Sequence, residues 1–105
     1  MKLIQCIIRP EKLDQIVNEL LKWTPGLTVA DVQAHGKQQR MGVYRGAQYR
    51  MLSPKVMIEI AAEDNKVDDL VKILIEIART GEAGDGRIFV LPLEEAYHVR
   101  TGFMD

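Results

Sequence analysis

The residues best suited to chemistry lie in one glycine-rich stretch, RTGEAGDGRIFV, at positions 79–90. It places three glycines within six residues, between a helical apolar pattern and a strand-like run. Successive backbone N–H groups that no side chain covers suit the binding of a phosphate. The same residues suit a plain connection, in which Gly81 ends the helix as its C′ residue and Asp85-Gly86 forms a turn. Glycine spacing is a weak signal, so this stretch alone favours the plain turn.

The other reactive side chains form no catalytic or metal-binding pattern. Cys6 is the only cysteine and lies in an apolar strand pattern, which favours a buried structural thiol over a nucleophile. His35 and His98 stand far apart, with no cysteine or acidic pair spaced as metal ligands. No serine occupies a nucleophile-elbow motif, and the acidic residues cluster mostly on helix faces. The sequence therefore predicts that the protein is not an enzyme and assigns no catalytic residue.

The elements that must position the glycine stretch form an internal repeat. Shifting the sequence by 54 positions aligns LIQCIIRPEKLDQIVNEL with MIEIAAEDNKVDDLVKIL, which predicts a strand followed by a helix in each copy. Alternation predicts these core-facing strand residues: Ile4, Cys6, Ile8, Ile58, Ile60 and Ala62. Helical spacing predicts two apolar stripes: Leu13, Ile16, Val17, Leu20 and Leu21 in the first helix, and Val67, Leu70, Val71, Leu74 and Ala78 in the second.

Two further strands and two end signals complete the predicted fold. Pro10 suits the first turn of the first helix, and Asp64 suits the N-cap of the second. Strands from about Leu27 to His35 and from Arg87 to Leu91 complete two β-α-β units. The prediction is an α+β ferredoxin-like sandwich, a four-stranded antiparallel sheet with both helices on one face. The other face is apolar, so we expect a partner subunit or a ligand to cover it.

Composition is typical of one small domain whose charges are segregated. The 105 residues are 47% apolar and carry a formal net charge of −1. Between Val32 and Ile58 there are five basic residues and no acidic one, which is typical of a solvated loop that meets something anionic or acidic. The apolar N-terminal run is too short for a signal peptide or a membrane span, which favours a cytoplasmic protein. The predicted central strands lack base-stacking aromatic residues, so no nucleic-acid partner is expected.

Five motifs, in order, resemble one known family, the PII signal-transduction proteins. They are MKLIQCIIRPEKLD, YRGAQY, SPKVMIEI, the glycine stretch TGEAGDGRIFV and the ending VRTG. The similarity covers nearly the whole chain, and PEKLD and PLEEAYHVRTG also resemble the branch found beside nitrogenase operons. The resemblance implies a single domain over residues 1–105, with a T-loop at about 37–54, a B-loop at about 80–87 and a C-loop at about 93–102.

The resemblance further implies a homotrimer that binds ATP, ADP or AMP between subunits and controls a target protein through the T-loop. That target would be a membrane transporter or a metabolic enzyme of nitrogen or carbon metabolism. The matching nucleotide positions are Ile7, Thr28, Gly36, Lys37, Gln38, Glu59, Ala61, Gly84, Asp85, Gly86, Arg87 and Arg100. Gln38 also matches a residue that helps to hold Mg²⁺ when 2-oxoglutarate joins ATP, and Lys55 one that meets 2-oxoglutarate. Tyr49 matches a tyrosine that is uridylylated in some bacterial members.

Departures from the family pattern leave the ligand preference open. His98 stands where a second phosphate-binding arginine is usual, and Glu82 where a lysine is usual. Each removes a positive charge near the phosphates, which leaves the order of ATP, ADP and AMP undecided. The choice among 2-oxoglutarate, bicarbonate and neither is open as well. The alternative function is a small-molecule-binding module of the amino-acid-binding kind, which shares the fold without needing the glycine stretch.

Overall fold

The chain forms an α+β sandwich of the predicted ferredoxin-like type. A computed structural model describes residues 1–35, 40–44 and 46–104, with the backbone alone described at 40–44 and 47–51. The strands are β1 (Lys2–Ile8), β2 (Thr28–Ala34), β3 (Arg40–Tyr44), β4 (Ala47–Met51), β5 (Ser53–Ala62) and β6 (Gly86–Pro92). The helices are α1 (Leu13–Leu20) and α2 (Val67–Ala78), each preceded by a short 3-10 turn, Pro10–Lys12 and Asp64–Lys66.

The main sheet has four antiparallel strands in the order β2-β5-β1-β6, so β1 lies at its centre. Successive side chains of a strand point to opposite faces, and one face of this sheet packs against both helices. The buried core consists of Ile4, Cys6, Ile8, Ile16, Leu20, Val56, Ile58, Ile60, Ala62, Leu70, Leu74 and Ala78. All six strand residues predicted to face the core are in this set, so alternation predicted the faces of β1 and β5 correctly.

Two details at the helix ends differ from the sequence prediction. Leu21 is 53% exposed, because α1 ends at Leu20 and the side chain of the next residue leaves the apolar stripe. Asp64 makes no capping hydrogen bond. Its carboxylate instead pairs with the N-terminal amine at 3.0 Å. The register explains this contact, since β1 begins opposite Ala62 and so brings the chain start beside the turn that precedes α2.

The basic segment contains a hairpin that the sequence pattern did not reveal. β3 and β4 pair with each other in a separate two-stranded sheet, with Gly46 at a positive φ of 79° in the turn. Backbone N–H and C=O groups pair across strands whatever the side chains are, so a hairpin can form in a segment without an apolar period. Among the described residues, no helix has both the length and the apolar character needed to span a membrane.

Candidate functional site

The glycine loop, residues 80–85, connects α2 to β6 and is organised around the carboxylate of Asp85. The backbone N–H groups of Thr80 and Gly81 donate to Asp85 Oδ2 at 2.8 and 2.9 Å. The Thr80 hydroxyl and Arg9 Nε donate to Asp85 Oδ1, the latter at 3.0 Å. The hydroxyl of Thr80 is the largest cause that lowers the pKa of Asp85 well below its ordinary value; desolvation opposes it, and the N–H groups and Arg9 reinforce it. The ionised carboxylate therefore closes the first half of the loop.

The second half of the loop presents unused backbone donors. Among the described residues, no hydrogen bond uses the N–H groups of Ala83 or Gly84. Both residues are exposed, and they form the middle of a turn that Asp85 closes. Glu82 still belongs to the closed half, because its N–H donates to the Thr80 hydroxyl at 3.2 Å. Two successive free N–H groups on an exposed loop are the kind of backbone donors that bind anions.

The helix end does not use Gly81 as predicted. The C-cap of α2 is Arg79, which has an extended backbone with φ −73° and ψ 125°. Gly81 lies two residues further on, with φ 89°. Its left-handed conformation therefore belongs to the turn around Asp85 and not to the end of α2.

Two cationic side chains from the sheet hold the loop in place. Arg9, which directly follows β1, donates from Nη2 to the carbonyl of Ala83 at 2.8 Å. Lys55 on β5 donates from Nζ to the carbonyl of Gly84 at 2.6 Å. A side chain at Gly84 would place its Cβ 3.5 Å from both cationic groups. The two cations thus converge on Gly84, one of the two residues with a free N–H.

Gly86, the first residue of β6, has to be glycine for a steric reason. Its φ is 113°, and a Cβ built on it would lie 1.7 Å from the carbonyl oxygen of Ile7. It pairs with Ile8 across the sheet. The absence of a side chain therefore allows the loop to enter the sheet tightly against β1.

Arg87 lies beside the loop on the open face of the sheet. It pairs with Ile7, and its guanidinium group lies 5.3 Å from the centroid of the Phe89 ring. A cation over an aromatic face is attracted by the ring and is held in a preferred position. Since Arg87 is exposed, its remaining donors can reach an anion at the loop.

The predicted strand residues of the nucleotide site share this open face but do not all lie together. Thr28 and Glu59 are paired, and Glu59 accepts a hydrogen bond of 2.9 Å from Gln5 Nε2. Ile7 lies two residues beyond Gln5 along β1, on the same face and nearer to the glycine loop. Ala61 pairs with Leu3, four residues along β1 from Ile7 and roughly 13 Å away from that end. The structure therefore groups Ile7, Thr28 and Glu59, with Ala61 farther from the loop.

Arg100 follows β6 in the C-terminal segment. That segment leaves the sheet after Pro92, six positions and about 20 Å along β6 from Gly86. Arg100 lies in an exposed turn in which the N–H of Gly102 donates to the carbonyl of His98 at 2.8 Å. Among the described residues, no hydrogen bond joins Arg100 to the glycine loop.

Several predicted positions cannot be located. Gly36, Lys37 and Gln38 lie outside the described residues, and for Tyr49 the structure describes only the backbone, in β4. In the described part of the chain, no three His, Cys, Asp or Glu side chains are grouped as metal ligands. Burial raises the pKa of the Cys6 thiol to about 11, which makes it a poor nucleophile.

Comparison with known proteins decides the family. The family profile described as nitrogen regulatory protein P-II matches residues 1–103. The chain is 43% identical to the nitrogen regulatory protein P-II of Microchaete diplosiphon, over 97% of this chain and 94% of that protein. It is also 43% identical to nitrogen regulatory protein P-II 2 of Methanothermobacter thermautotrophicus, over 97% and 91% of the two chains. The chain belongs to the nitrogen regulatory protein P-II family.

In this P-II family member, sequence reasoning missed Arg9 at the glycine loop, and Gln5 and Phe89 on the open face of the sheet. Arg9 comes one residue after Ile8, which lies opposite Gly86 in the pairing of β1 with β6. This register brings the cation of Arg9 opposite Asp85. A single sequence shows the alternation of each strand, but it does not show which residues of two distant strands are partners, so this contact was not predictable.

Proposed function

We propose that the protein is a regulatory nucleotide sensor without turnover of its own, which binds ATP or ADP at the glycine loop. It would control a target protein through the predicted T-loop, residues 37–54. The observation that supports this most is the pair of free N–H groups at Ala83 and Gly84. Backbone donors of this kind suit a phosphate oxygen, and the family membership makes a regulatory role the natural use of such a site.

The charges around the loop favour the same ligand. Arg9, Lys55 and Arg87 supply three cations at or beside the loop, whereas the carboxylate of Asp85 accepts hydrogen bonds from Thr80, Gly81 and Arg9. A polyphosphate would therefore meet donors and positive charge without an opposing free carboxylate from Asp85. AMP has fewer phosphate oxygens and should gain less from this arrangement.

The neighbouring polar groups suit the rest of a nucleotide. Gln5 and Glu59 form a half-buried pair, with Thr28 beside them, at the middle of the open face. Carboxylate, amide and hydroxyl groups can hydrogen-bond a ribose or a base edge. Ile7 supplies an apolar surface between this group and the loop.

We also propose that the working form is a homotrimer. Phe89 and Leu91 on the open face are 38% and 39% exposed, and the C-terminal segment exposes Val99 fully and Phe103 to 75%. Covering such apolar surface stabilises an assembly. Arg100 would then reach the glycine loop of a neighbour, since among the described residues no hydrogen bond joins it to the loop of its own chain.

Effector roles remain part of the proposal. Lys55 would meet 2-oxoglutarate, and Gln38 would help to hold Mg²⁺ on bound ATP. Lys55 already lies beside Gly84, so a small dicarboxylate there would sit next to the phosphates. Modification of Tyr49 and the identity of the target would be further levels of the same regulation.

Calorimetric titration with ATP, ADP and AMP tests this function. Arg87→Ala should weaken ATP and ADP binding by roughly 1.5–3 kcal/mol, the scale of a hydrogen bond to a charged group, and AMP binding by less. Lys72→Ala is the matched control, because Lys72 is an exposed cation on α2, away from the loop. Light scattering should give the trimer mass for all three proteins. Equal ATP affinity in the parent and Arg87→Ala would contradict the proposal.

A further inference from the structure

Arg9 connects the central strand to two different points of the glycine loop. Its Nε donates to Asp85 Oδ1 at 3.0 Å, and its Nη2 donates to the carbonyl of Ala83 at 2.8 Å. The side chains of Arg9 and Asp85 are each only 23% exposed. The pair is therefore shielded from water to a larger extent than an ordinary surface ion pair.

The backbone around Arg9 is held on both sides. Ile8 is 1% exposed and pairs with both Val56 and Gly86, so the preceding residue is fixed in the middle of the sheet. Pro10 follows at once and starts a 3-10 turn, in which the N–H of Lys12 donates to the Arg9 carbonyl at 3.0 Å. The backbone of Arg9 is thus fixed by the sheet and by the 3-10 turn. The loop that Arg9 contacts, in contrast, contains two glycines, Gly81 and Gly84, among its six residues.

We propose that Arg9 is a positioning residue for phosphate binding that acts through Asp85. The guanidinium group of Arg9 holds the Asp85 carboxylate in place, and that carboxylate accepts hydrogen bonds from the N–H groups of Thr80 and Gly81. With the first half of the loop closed in this way, the N–H groups of Ala83 and Gly84 stay turned outward. This inference rests on the proposed function, because the outward donors matter only if a phosphate binds them.

The geometry separates this role from direct contact between Arg9 and the ligand. A guanidinium group can donate to Asp85 and to the Ala83 carbonyl at once, whereas one lysine ammonium cannot span both acceptors with the same rigid geometry. A purely electrostatic role would depend on charge alone. A substitution at Asp85 also distinguishes the positioning role from the purely electrostatic role. Removing its negative charge should strengthen phosphate binding if only electrostatics matters, and should weaken phosphate binding if the carboxylate organises the loop.

The test uses ATP affinity in a double-mutant cycle, with Lys72→Ala as the charge control. Arg9→Ala, Arg9→Lys and Asp85→Asn should each weaken ATP binding about tenfold, the scale of one lost charge-assisted hydrogen bond. The double variant Arg9→Ala with Asp85→Asn should bind no worse than the weaker single variant, since both changes break one unit. Parent-like binding by Arg9→Lys, tighter binding by Asp85→Asn, or additive losses would each overturn the proposal.

Amide-resolved NMR of the ligand-free protein keeps this test independent of the proposed function. The amide protons of Thr80 and Gly81, which are hydrogen-bonded to a carboxylate in the parent, should move upfield in Arg9→Ala and in Arg9→Lys. Unchanged resonances would show that Arg9 does not hold Asp85, and would overturn the inference whatever ATP does. If those resonances move but the parent binds no nucleotide, the positioning of the loop stands and the assignment of phosphate as its ligand is overturned together with the proposed function.

Discussion

At the scale of single residues, a carboxylate in a loop proposed to bind an anion looks unfavourable, because like charges repel. The Asp85 carboxylate, however, already accepts hydrogen bonds from Thr80, Gly81 and Arg9. The sequence placed Asp85 in the nucleotide site through family resemblance, which assigned it a backbone contact. The structure adds that its side chain shapes the loop, and whether its backbone binds phosphate stays a prediction.

Gly86 gives a residue-scale prediction. Gly86→Ala should lower the free energy of unfolding by at least roughly 2 kcal/mol, because it combines a left-handed backbone with a clash against the Ile7 carbonyl. Gly26→Ala is the matched control, since a Cβ there meets nothing within 4 Å, and its effect should stay within about 0.5 kcal/mol. Urea denaturation measures both. Similar midpoints for the two variants would show that the close approach of Gly86 to Ile7 does not exist in solution.

At the scale of elements, two substitutions test whether α1 ends at Leu20 and leaves Leu21 outside the apolar stripe. Ile16→Ala should cost roughly 2–4 kcal/mol of unfolding free energy, because Ile16 is completely buried against the sheet. Leu21→Ala should cost less than about 1 kcal/mol, because Leu21 is 53% exposed beyond the end of the helix. Thermal or urea unfolding of the two variants decides the matter. Equal costs would mean that the helix continues past Leu20.

The elements also show what the sequence can and cannot predict. Alternation and helical spacing depend only on neighbours along the chain, so the faces of β1, β5 and α2 could be read directly. The Arg9–Asp85 contact depends on how β1 pairs with β6, and the chain contains no local signal for that register. The β3–β4 hairpin is defined by backbone pairing, and its sequence has no apolar alternation, so periodicity could not reveal it.

At the scale of the whole molecule, the proposed phosphate site would need parts from both ends of β6. The glycine loop and Arg87 lie at one end of β6, and the segment that carries Arg100 leaves from the other end. A closed, symmetric assembly can bring these parts together in every copy, since each chain offers both. Nucleotide binding between subunits would then couple ligand occupancy to the assembly, which is how a small regulatory domain could transmit a signal.

The most direct test of the central claim is an amide-resolved NMR titration of the parent protein with ATP. The claim is that the second half of the glycine loop binds phosphate through its backbone. The amides of Ala83 and Gly84 should shift most and should saturate, whereas those of Thr80 and Gly81 should shift little, because the Asp85 carboxylate already accepts their hydrogen bonds. Saturable ATP binding that leaves the amides of Ala83 and Gly84 unmoved, or no binding at millimolar ATP, would contradict the account.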